Sequence, residues 1–116
     1  LPIDKFIELA LYDKKKGYYM KKNPFGDLGD FTTSPNISVL FSEMLSIWII
    51  LFCKSLKNLK QINIIELGAG NGEMIYQIIK TINVLNNNKI KIKFFIYEKS
   101  IFLQKIQKKK IKKFFC

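Results

Sequence analysis

The order of apolar and polar positions divides the chain into a helical amino-terminal half and a second half in which strands alternate with helices. Apolar residues recur at helical spacing where helices are predicted, and they alternate or run together where strands are predicted. The predicted elements are a helix over 3–12, a glycine-rich loop over 17–34, a helix over 36–57, a strand over 61–67, a helix over 73–84, a strand over 90–97 and a helix over 101–113. The βαβα order after residue 60 predicts an α/β fold with a parallel sheet and a right-handed crossover.

The first predicted strand ends in an acid that is followed by three glycines. β-Branched isoleucines fill the strand, as is typical of a buried strand in a parallel sheet. After Glu66, the residues Gly68, Gly70 and Gly72 allow the backbone to turn sharply and to approach a ligand closely. The helix that follows would point its amino-terminal amides at that ligand. The segment predicts a turn that binds a nucleotide-type cofactor, with a purely structural turn as the alternative.

The spacing of these glycines distinguishes between two classes of nucleotide-type cofactor. A dinucleotide-binding turn has the pattern G-x-G-x-x-G and would place a glycine at position 73, where this chain has Glu73. A carboxylate at the head of the helix would repel a pyrophosphate but is compatible with a sulfonium. The pattern found, E-x-G-x-G-x-G, resembles motif I of class I S-adenosylmethionine-dependent methyltransferases. S-adenosyl-L-methionine is therefore the expected cofactor.

A second acid, Glu98, closes the second predicted strand. In βαβ units that bind nucleotides, an acid at this point accepts hydrogen bonds from the ribose hydroxyls. It follows the glycine turn at a somewhat greater separation than the roughly 20 residues of dinucleotide folds. We expect Glu98 to bind the ribose of the cofactor, and a solvated charge at a strand end is the alternative.

Further segments in the amino-terminal third carry a family resemblance. They read G-Y-Y at 17–19, F-G at 25–26, G-D-F-T-T-S-P at 29–35 and L-F-S-E at 40–43. Together with the glycine turn and the acid after the second strand, they resemble the MidA-like family of S-adenosylmethionine-dependent methyltransferases, whose mitochondrial members are complex I assembly factors. The resemblance covers nearly all of the chain. The chain departs from the family pattern at Ser42, where glycine is usual, and at Gln104, where a basic residue is usual.

The resemblance implies a Rossmann-like class I methyltransferase fold in a protein that acts on another protein. Arginine methylation of a core subunit of respiratory complex I is the activity associated with the mitochondrial members. Residues 1–60 would form a helical and loop extension over the cofactor site, and residues 61–116 the first βαβα part of the cofactor-binding domain. In the loop, Asp30, Thr32 and Thr33 are expected to face the cofactor, with a bare helix-capping turn as the alternative. No catalytic residue is assigned.

The length of the chain limits what it is expected to do alone. At 116 residues it can bury one modest core, and the two strands predicted here are fewer than a complete class I sheet contains. We therefore expect a truncated fold, an amino-terminal fragment that retains at most the cofactor-binding part. Such a fragment would have an open strand edge and uncovered apolar surface. A non-catalytic remnant or scaffold is the alternative.

The positive charge is concentrated in the last quarter of the chain. All 20 basic residues are lysines, and the segment 89–116 carries half of them against a single acid, Glu98. Such a tail could bind acidic surfaces, which gives a further alternative function. The 19 isoleucines and 9 asparagines accompany the lysine bias, as in a chain-wide compositional drift. Because arginine is absent, the chain lacks a bidentate reader of bases, and we expect no specific nucleic-acid partner.

Composition also limits the metal and membrane assignments. With no histidine and only two cysteines, the chain offers no expected metal site. The helix before the first strand is strongly apolar from Met44 to Cys53, but this stretch is shorter than the roughly 20 residues of a membrane span. Trp48, Ile49 and Phe52 are expected to pack on the sheet domain or on the remainder of the fold.

The cellular compartment is inferred from the start of the chain. The first helix carries Asp4 and Glu8, which are not typical of a signal or transit peptide. We therefore expect the bacterial cytoplasm, with the mitochondrial matrix as the alternative. The sequence leaves the oligomeric state open.

Overall fold

The fold was analysed in a computed structural model that describes residues 1–26, 28–86 and 90–115. Its elements are the helices α1 (Ile3–Tyr12), α2 (Tyr18–Lys21), α3 (Ser34–Ile37) and α4 (Val39–Ser55), the strand β1 (Gln61–Leu67), the helix α5 (Glu73–Leu85), the strand β2 (Lys91–Tyr97), the helix α6 (Ile101–Ile111) and a short 3₁₀ helix (Lys112–Phe114). The predicted βαβα order is confirmed, and both strands lie within one residue of their predicted bounds.

The two strands form a parallel pair. The register runs from Gln61 opposite Lys91 to Leu67 opposite Tyr97. Helix α5 connects the end of β1 to the start of β2, so the carboxyl ends of both strands lie at the same edge of the sheet. The expected parallel sheet is therefore confirmed, and its topology brings the glycine turn after β1 close to the acid after β2.

One face of the sheet is covered by helices. Four isoleucines of α5 are almost fully buried: Ile75, Ile78, Ile79 and Ile82. Ile78 and Ile82 share a core with Ile50 of α4 and with apolar side chains of both strands. Two small buried residues on α4, Ser42 and Ser46, let this helix pack closely against its neighbours. Burial of each isoleucine contributes about 1.5–3 kcal/mol, so this layer supplies most of the hydrophobic stabilisation.

The opposite face of the sheet is bare over the described ranges. Four apolar side chains at its carboxyl half are 43% to 77% exposed: Ile65, Leu67, Phe95 and Tyr97. Ile65 lies opposite Phe95, and Leu67 lies opposite Tyr97, so the four side chains form one patch. This patch is the uncovered apolar surface expected from the sequence.

The prediction of one continuous helix over 36–57 is wrong. The backbone at Ser38 is extended, with φ −145° and ψ 125°, and this residue separates α3 from α4. The Ser38 hydroxyl accepts a hydrogen bond from the Leu40 amide and caps the longer helix. The predicted loop over 17–34 also differs, because it contains the single turn of α2.

The buried residues of α4 lie on one side of the helix, and its aromatic residues lie elsewhere. Trp48 and Phe52 stack with ring centroids 5.7 Å apart and are 61% and 52% exposed. Of the two expected packing partners, the sheet domain is therefore not contacted by these exposed rings, and packing on the remainder of the fold stays a prediction; Ile49 does pack against the core. Within the part of the chain that the structure describes, no helix is long and apolar enough to cross a membrane.

Contacts beyond β2 attach the amino-terminal helices to the sheet domain. The Ser100 hydroxyl donates a hydrogen bond to the Tyr19 carbonyl at 2.5 Å, which joins the start of α6 to α2. The Lys99 ammonium lies 2.8 Å from the Glu8 carboxylate of α1. The loop between α2 and α3 is thereby held beside the carboxyl edge of the sheet.

Candidate cofactor-binding site

The turn after β1 has the backbone conformation that its glycines permit. Gly68, Gly70 and Gly72 have φ values of 66°, 54° and 74°, which would cost another residue roughly 1–2 kcal/mol each. The Gly68 amide donates to the Tyr97 carbonyl at 2.8 Å, and the Gly72 amide donates to the Ala69 carbonyl at 2.8 Å. The turn is therefore sharp, and it is bonded both internally and to the end of β2.

The space around each glycine shows which side of the turn is open. A Cβ at Gly70 would lie 2.9 Å from the Phe25 ring, and a Cβ at Gly72 would lie 3.1 Å from Gln107 Cγ. A Cβ at Gly68 would meet nothing within 4 Å among the described atoms. Gly70 and Gly72 are thus required by close packing, whereas Gly68 faces space that a ligand could fill.

Two adjacent cavities flank the turn and share the lining residues Phe25, Gly68 and Gly70. The first has a volume of about 180 Å³ and contains Glu66. The second has a volume of about 130 Å³ and contains Glu98. Together they form one groove over the turn, which we call the turn groove, with an acid at each end and the Phe25 ring between.

Glu66 is a largely desolvated acid at the first end of the turn groove. It follows Ile62 and Ile64 on the helix-covered face of β1, which is why it is partly buried. Burial raises the pKa of its carboxyl to about 7, and a hydrogen bond from the Ile75 amide opposes this shift in part. Its Oε2 is buried and has no hydrogen-bond partner among the described residues. A buried acceptor without a partner costs about 1–3 kcal/mol, so a ligand that donates to it would bind favourably.

Glu98 is held by protein donors at the other end. Its Oε1 accepts a hydrogen bond from the Ser100 amide at 2.9 Å, and its Oε2 lies 3.4 Å from Gln107 Nε2. Gln104 Nε2 donates to the Glu98 backbone carbonyl at 2.7 Å. These contacts fix the carboxylate while leaving it further acceptor sites, since two carboxylate oxygens offer about four.

The three loop residues predicted to face the cofactor lie in different places. Thr33 lines the first cavity and precedes α3 as its N-cap residue. Asp30 instead lies 2.8 Å from the Lys22 ammonium and accepts a hydrogen bond from the Tyr18 hydroxyl. Asp30 and Thr32 do not line either cavity of the turn groove. The structure therefore brings only Thr33 to the two acids and the glycines.

An asparagine pair that the sequence analysis missed connects the loop to the turn. Asn71 Nδ2 donates to Asn36 Oδ1 at 2.9 Å, and Asn36 Nδ2 donates to the Thr33 hydroxyl at 2.7 Å. Asn71 Oδ1 accepts from the Glu73 amide at the start of α5. An asparagine just before a helix is a recognisable capping signal, but its partner lies 35 residues away and gives no local signal.

Two aromatic residues of the turn groove were also missed as site residues. Phe25 and Tyr19 stack at 6.2 Å with nearly parallel rings, and both line the cavity that contains Glu98. Both residues belong to segments that carry the family resemblance, G-Y-Y at 17–19 and F-G at 25–26, but those segments did not indicate a place beside the glycine turn.

A larger cavity of about 320 Å³ lies between α5, α6 and β2. Its wall is mainly aliphatic, with Ile75, Ile79, Ile96 and Ile111 among its residues, on the helix-covered side of the sheet. It shares Glu98 with the turn groove but none of the glycines. We interpret this cavity as loose packing of α6 and place the candidate site at the turn groove.

The fold and the turn together are those of the first part of a Rossmann-like class I methyltransferase fold, a truncated form of it. The family model described as "Putative S-adenosyl-L-methionine-dependent methyltransferase" matches residues 44–115. The chain belongs to this family. The resemblance to MidA-like methyltransferases inferred from the sequence is thereby confirmed.

Named relatives and a solved structure agree with this assignment. The chain is 30% identical to the mitochondrial protein arginine methyltransferase NDUFAF7 homolog of Drosophila melanogaster over 92% of its own length and 24% of the relative. It is 31% identical to human NDUFAF7 over 75% of its length and 20% of the relative. A crystal structure from Burkholderia thailandensis, bound to S-adenosyl-homocysteine, has the same fold, with a TM-score of 0.73, 24% identity, and coverage of 96% of this chain and 29% of that one. The chain thus spans about a quarter of the length of these relatives.

Proposed function

We propose that the chain binds S-adenosyl-L-methionine in the turn groove and forms the cofactor-binding part of a protein methyltransferase. One observation carries the proposal: a groove over three positive-φ glycines has an acid at each end, Glu66 and Glu98. The cofactor has an amino acid end with an ammonium and a carboxylate group, a sulfonium, and a ribose with two hydroxyls. The ammonium group would bind beside Glu66, and the ribose would bind to Glu98.

The charges around the turn favour this cofactor over a dinucleotide. Glu66 Oε2 lacks a donor, and an ammonium group could supply one. Glu73 lines the same cavity. Burial raises its pKa, but Lys110 and Gln77 together hold that pKa below its usual value. A pyrophosphate would meet both carboxylates and be repelled, whereas S-adenosyl-L-methionine carries positive charge and supplies an activated methyl group.

The methyl acceptor is proposed from the relatives. Their names describe mitochondrial protein arginine methyltransferases, which supports a protein substrate with an arginine acceptor. The MidA-like resemblance points further to a core subunit of respiratory complex I. The same names favour the mitochondrial matrix, and the bacterial cytoplasm expected from the sequence is the second assignment.

Calorimetric titration tests the cofactor. We expect saturable binding of S-adenosyl-L-methionine and S-adenosyl-homocysteine and no saturable binding of NAD. The reverse result would overturn the assignment. Binding of acidic surfaces that is lost steeply with added salt, without any cofactor binding, would instead favour the alternative in which the lysine tail acts.

Transfer of label from S-adenosyl-L-methionine tests the enzymatic part. The chain and a full-length relative would each be incubated with a complex I core subunit that contains a candidate arginine. We expect transfer by the relative and much less by this chain, because its described residues form a cofactor groove without a recognisable acceptor site. Equal rates would show that this part of the fold suffices for catalysis, and cofactor binding without transfer by either protein would favour the scaffold alternative.

A further inference from the structure

A buried glutamine links the two halves of the turn groove. Gln107 lies on α6 and is 2% exposed. Its Nε2 donates to the Gly70 carbonyl at 2.8 Å and lies 3.4 Å from Glu98 Oε2. One side chain thus contacts both the backbone of the turn and the acid at the end of β2.

The neighbours of Gln107 determine which amide atom faces them. A carbonyl and a carboxylate are both acceptors, so the NH₂ group must point toward them, and its two hydrogens match the two acceptors. The methylene groups pack beneath the turn, because a Cβ at Gly72 would lie only 3.1 Å from Gln107 Cγ. Neither an apolar residue nor a carboxylate could make these contacts without loss.

Helix α6 is fixed at its start, and this sets the position of the amide. The Ser100 hydroxyl accepts a hydrogen bond from the Leu103 amide at 3.2 Å and donates to the Tyr19 carbonyl of α2. Leu103 and Gln107, one helical turn apart, are the buried residues of this helix. The backbone of α6 is therefore fixed beside the turn, and the Gln107 amide group is held against the Gly70 carbonyl.

We propose that Gln107 is a positioning residue that holds Glu98 and the Gly70 backbone in the arrangement that binds the ribose. The inference rests on the proposed cofactor function. It assigns Gln107 no contact with the cofactor, since its effect passes through the acid and the turn.

Two substitutions separate this role from simple packing. Gln107→Met keeps the length and removes the donor, and we expect it to weaken S-adenosyl-homocysteine binding about tenfold. Gln107→Glu returns a donor only when its carboxyl is protonated. Its affinity relative to wild type should therefore rise as the pH falls from 8 to 5.

The ratio of the Gln107→Glu affinity to the wild-type affinity isolates the effect of the new carboxyl at position 107. Glu98 at the end of β2 and Lys108 on α6 lie near it, on the wall of the neighbouring cavity. The ion pair of Glu73 with Lys110 and the carboxyl of Glu66 lie at the turn. All five groups are present in both proteins, so their contributions largely cancel in the ratio.

A matched control is Gln61→Glu, which adds a carboxyl at the exposed first residue of β1, at the opposite end of this strand from the glycine turn. Gln61 lines neither cavity of the turn groove. We expect this variant to bind S-adenosyl-homocysteine within about twofold of wild type, with no added pH dependence. Thermal unfolding would confirm that each variant is folded before titration.

A double variant decides whether the effect passes through Glu98. Gln107→Met should weaken binding much less in a Glu98→Ala background than in wild type. Equal losses in both backgrounds, together with a pH-independent ratio for Gln107→Glu, would overturn the inference and leave Gln107 as a packing residue. Wild-type affinity in Gln107→Met would also overturn it. If the wild-type chain itself binds no S-adenosyl-homocysteine, the proposed function fails, and this inference fails with it.

Discussion

Glu66 and Glu98 end neighbouring parallel strands, yet the protein surrounds the two carboxylates differently. Glu66 lies on the helix-covered face, its pKa is raised to about 7 by burial, and one of its oxygens has no partner among the described residues. Glu98 lies beyond the last residue of β2 and accepts hydrogen bonds from Ser100 and Gln107. The difference arises from the helices, because α5 covers the first acid, whereas α6 and its N-cap residue supply donors to the second.

This contrast shows how one turn can bind a ligand with two unlike ends. A desolvated acid without a full set of donors gains most from a cation, since the attraction is strong where water is excluded. An acid held by protein donors has its remaining acceptor sites fixed in direction, which suits neutral hydroxyls. S-adenosyl-L-methionine has one group of each kind, an ammonium and a ribose with two hydroxyls.

The largest effect is expected at the turn that both acids share. Gly70→Val places a branched side chain at φ 54° and within 3 Å of the Phe25 ring. We expect the free energy of unfolding to fall by about 2–5 kcal/mol and binding of S-adenosyl-homocysteine to be lost, as measured by denaturant unfolding and calorimetry.

A matched control for this change is Gly26→Val. Gly26 also has a positive φ, of 93°, but a Cβ there would meet nothing within 4 Å among the described atoms. Gly26→Val should lower the free energy of unfolding only by the strain of its backbone conformation, about 1–2 kcal/mol, and should retain cofactor binding. Retention of full binding by Gly70→Val would show that the turn is not the binding element.

The second effect removes the acid that the protein holds in place. Glu98→Ala should weaken S-adenosyl-homocysteine binding by about 1.5–3 kcal/mol, tenfold or more, because hydrogen bonds to a charged acceptor are lost. Glu43→Ala is the matched control and should bind as wild type, because Glu43 lies on α4 and lines neither cavity of the turn groove. If Glu98→Ala binds as tightly as wild type, Glu98 is an ordinary charge at a strand end.

The features that could be predicted from the sequence are those encoded locally. β-Branched residues identify the first strand, alternation and aromatic residues identify the second, and glycines after a strand identify a turn with positive φ. The two acids could be predicted as site residues because each lies at the carboxyl end of a predicted strand. The acids and the glycines lie at one edge of the sheet, because two parallel strands joined by a helix have their carboxyl ends at the same edge. Local sequence patterns were therefore sufficient to predict that these residues lie close together.

The remaining parts of the site depend on contacts between distant segments. Gln107 meets Gly70 across 37 residues, and Asn71 meets Asn36 across 35. No local pattern reports such pairs. The role of Asp30 at the cofactor stays a prediction. Its carboxylate pairs with Lys22 and accepts a hydrogen bond from the Tyr18 hydroxyl, and no local pattern predicted either contact.

The smallest effect concerns the desolvated acid and appears in stability. The pKa of Glu66 is raised in the folded chain from 4.5 to about 7, so its contribution to stability is complete below pH 4.5 and is lost as the pH rises through 7. Glu66→Gln removes this charge. The difference in free energy of unfolding between the variant and wild type should therefore shift in favour of the variant as the pH rises from 5 to 8. The expected shift is about 1–2 kcal/mol after allowance for solvent screening.

Denaturant unfolding of both proteins across this pH range measures the difference. Glu8→Gln is the control: its salt bridge to Lys99 lowers the pKa of the exposed Glu8, so its titration falls below pH 4.5 and the difference from wild type should be flat from pH 5 to 8. The other carboxyls are unchanged in each comparison and cancel. A flat difference for Glu66→Gln as well would mean that Glu66 is not desolvated. The contrast between the two strand ends would then reduce to the donors that surround Glu98.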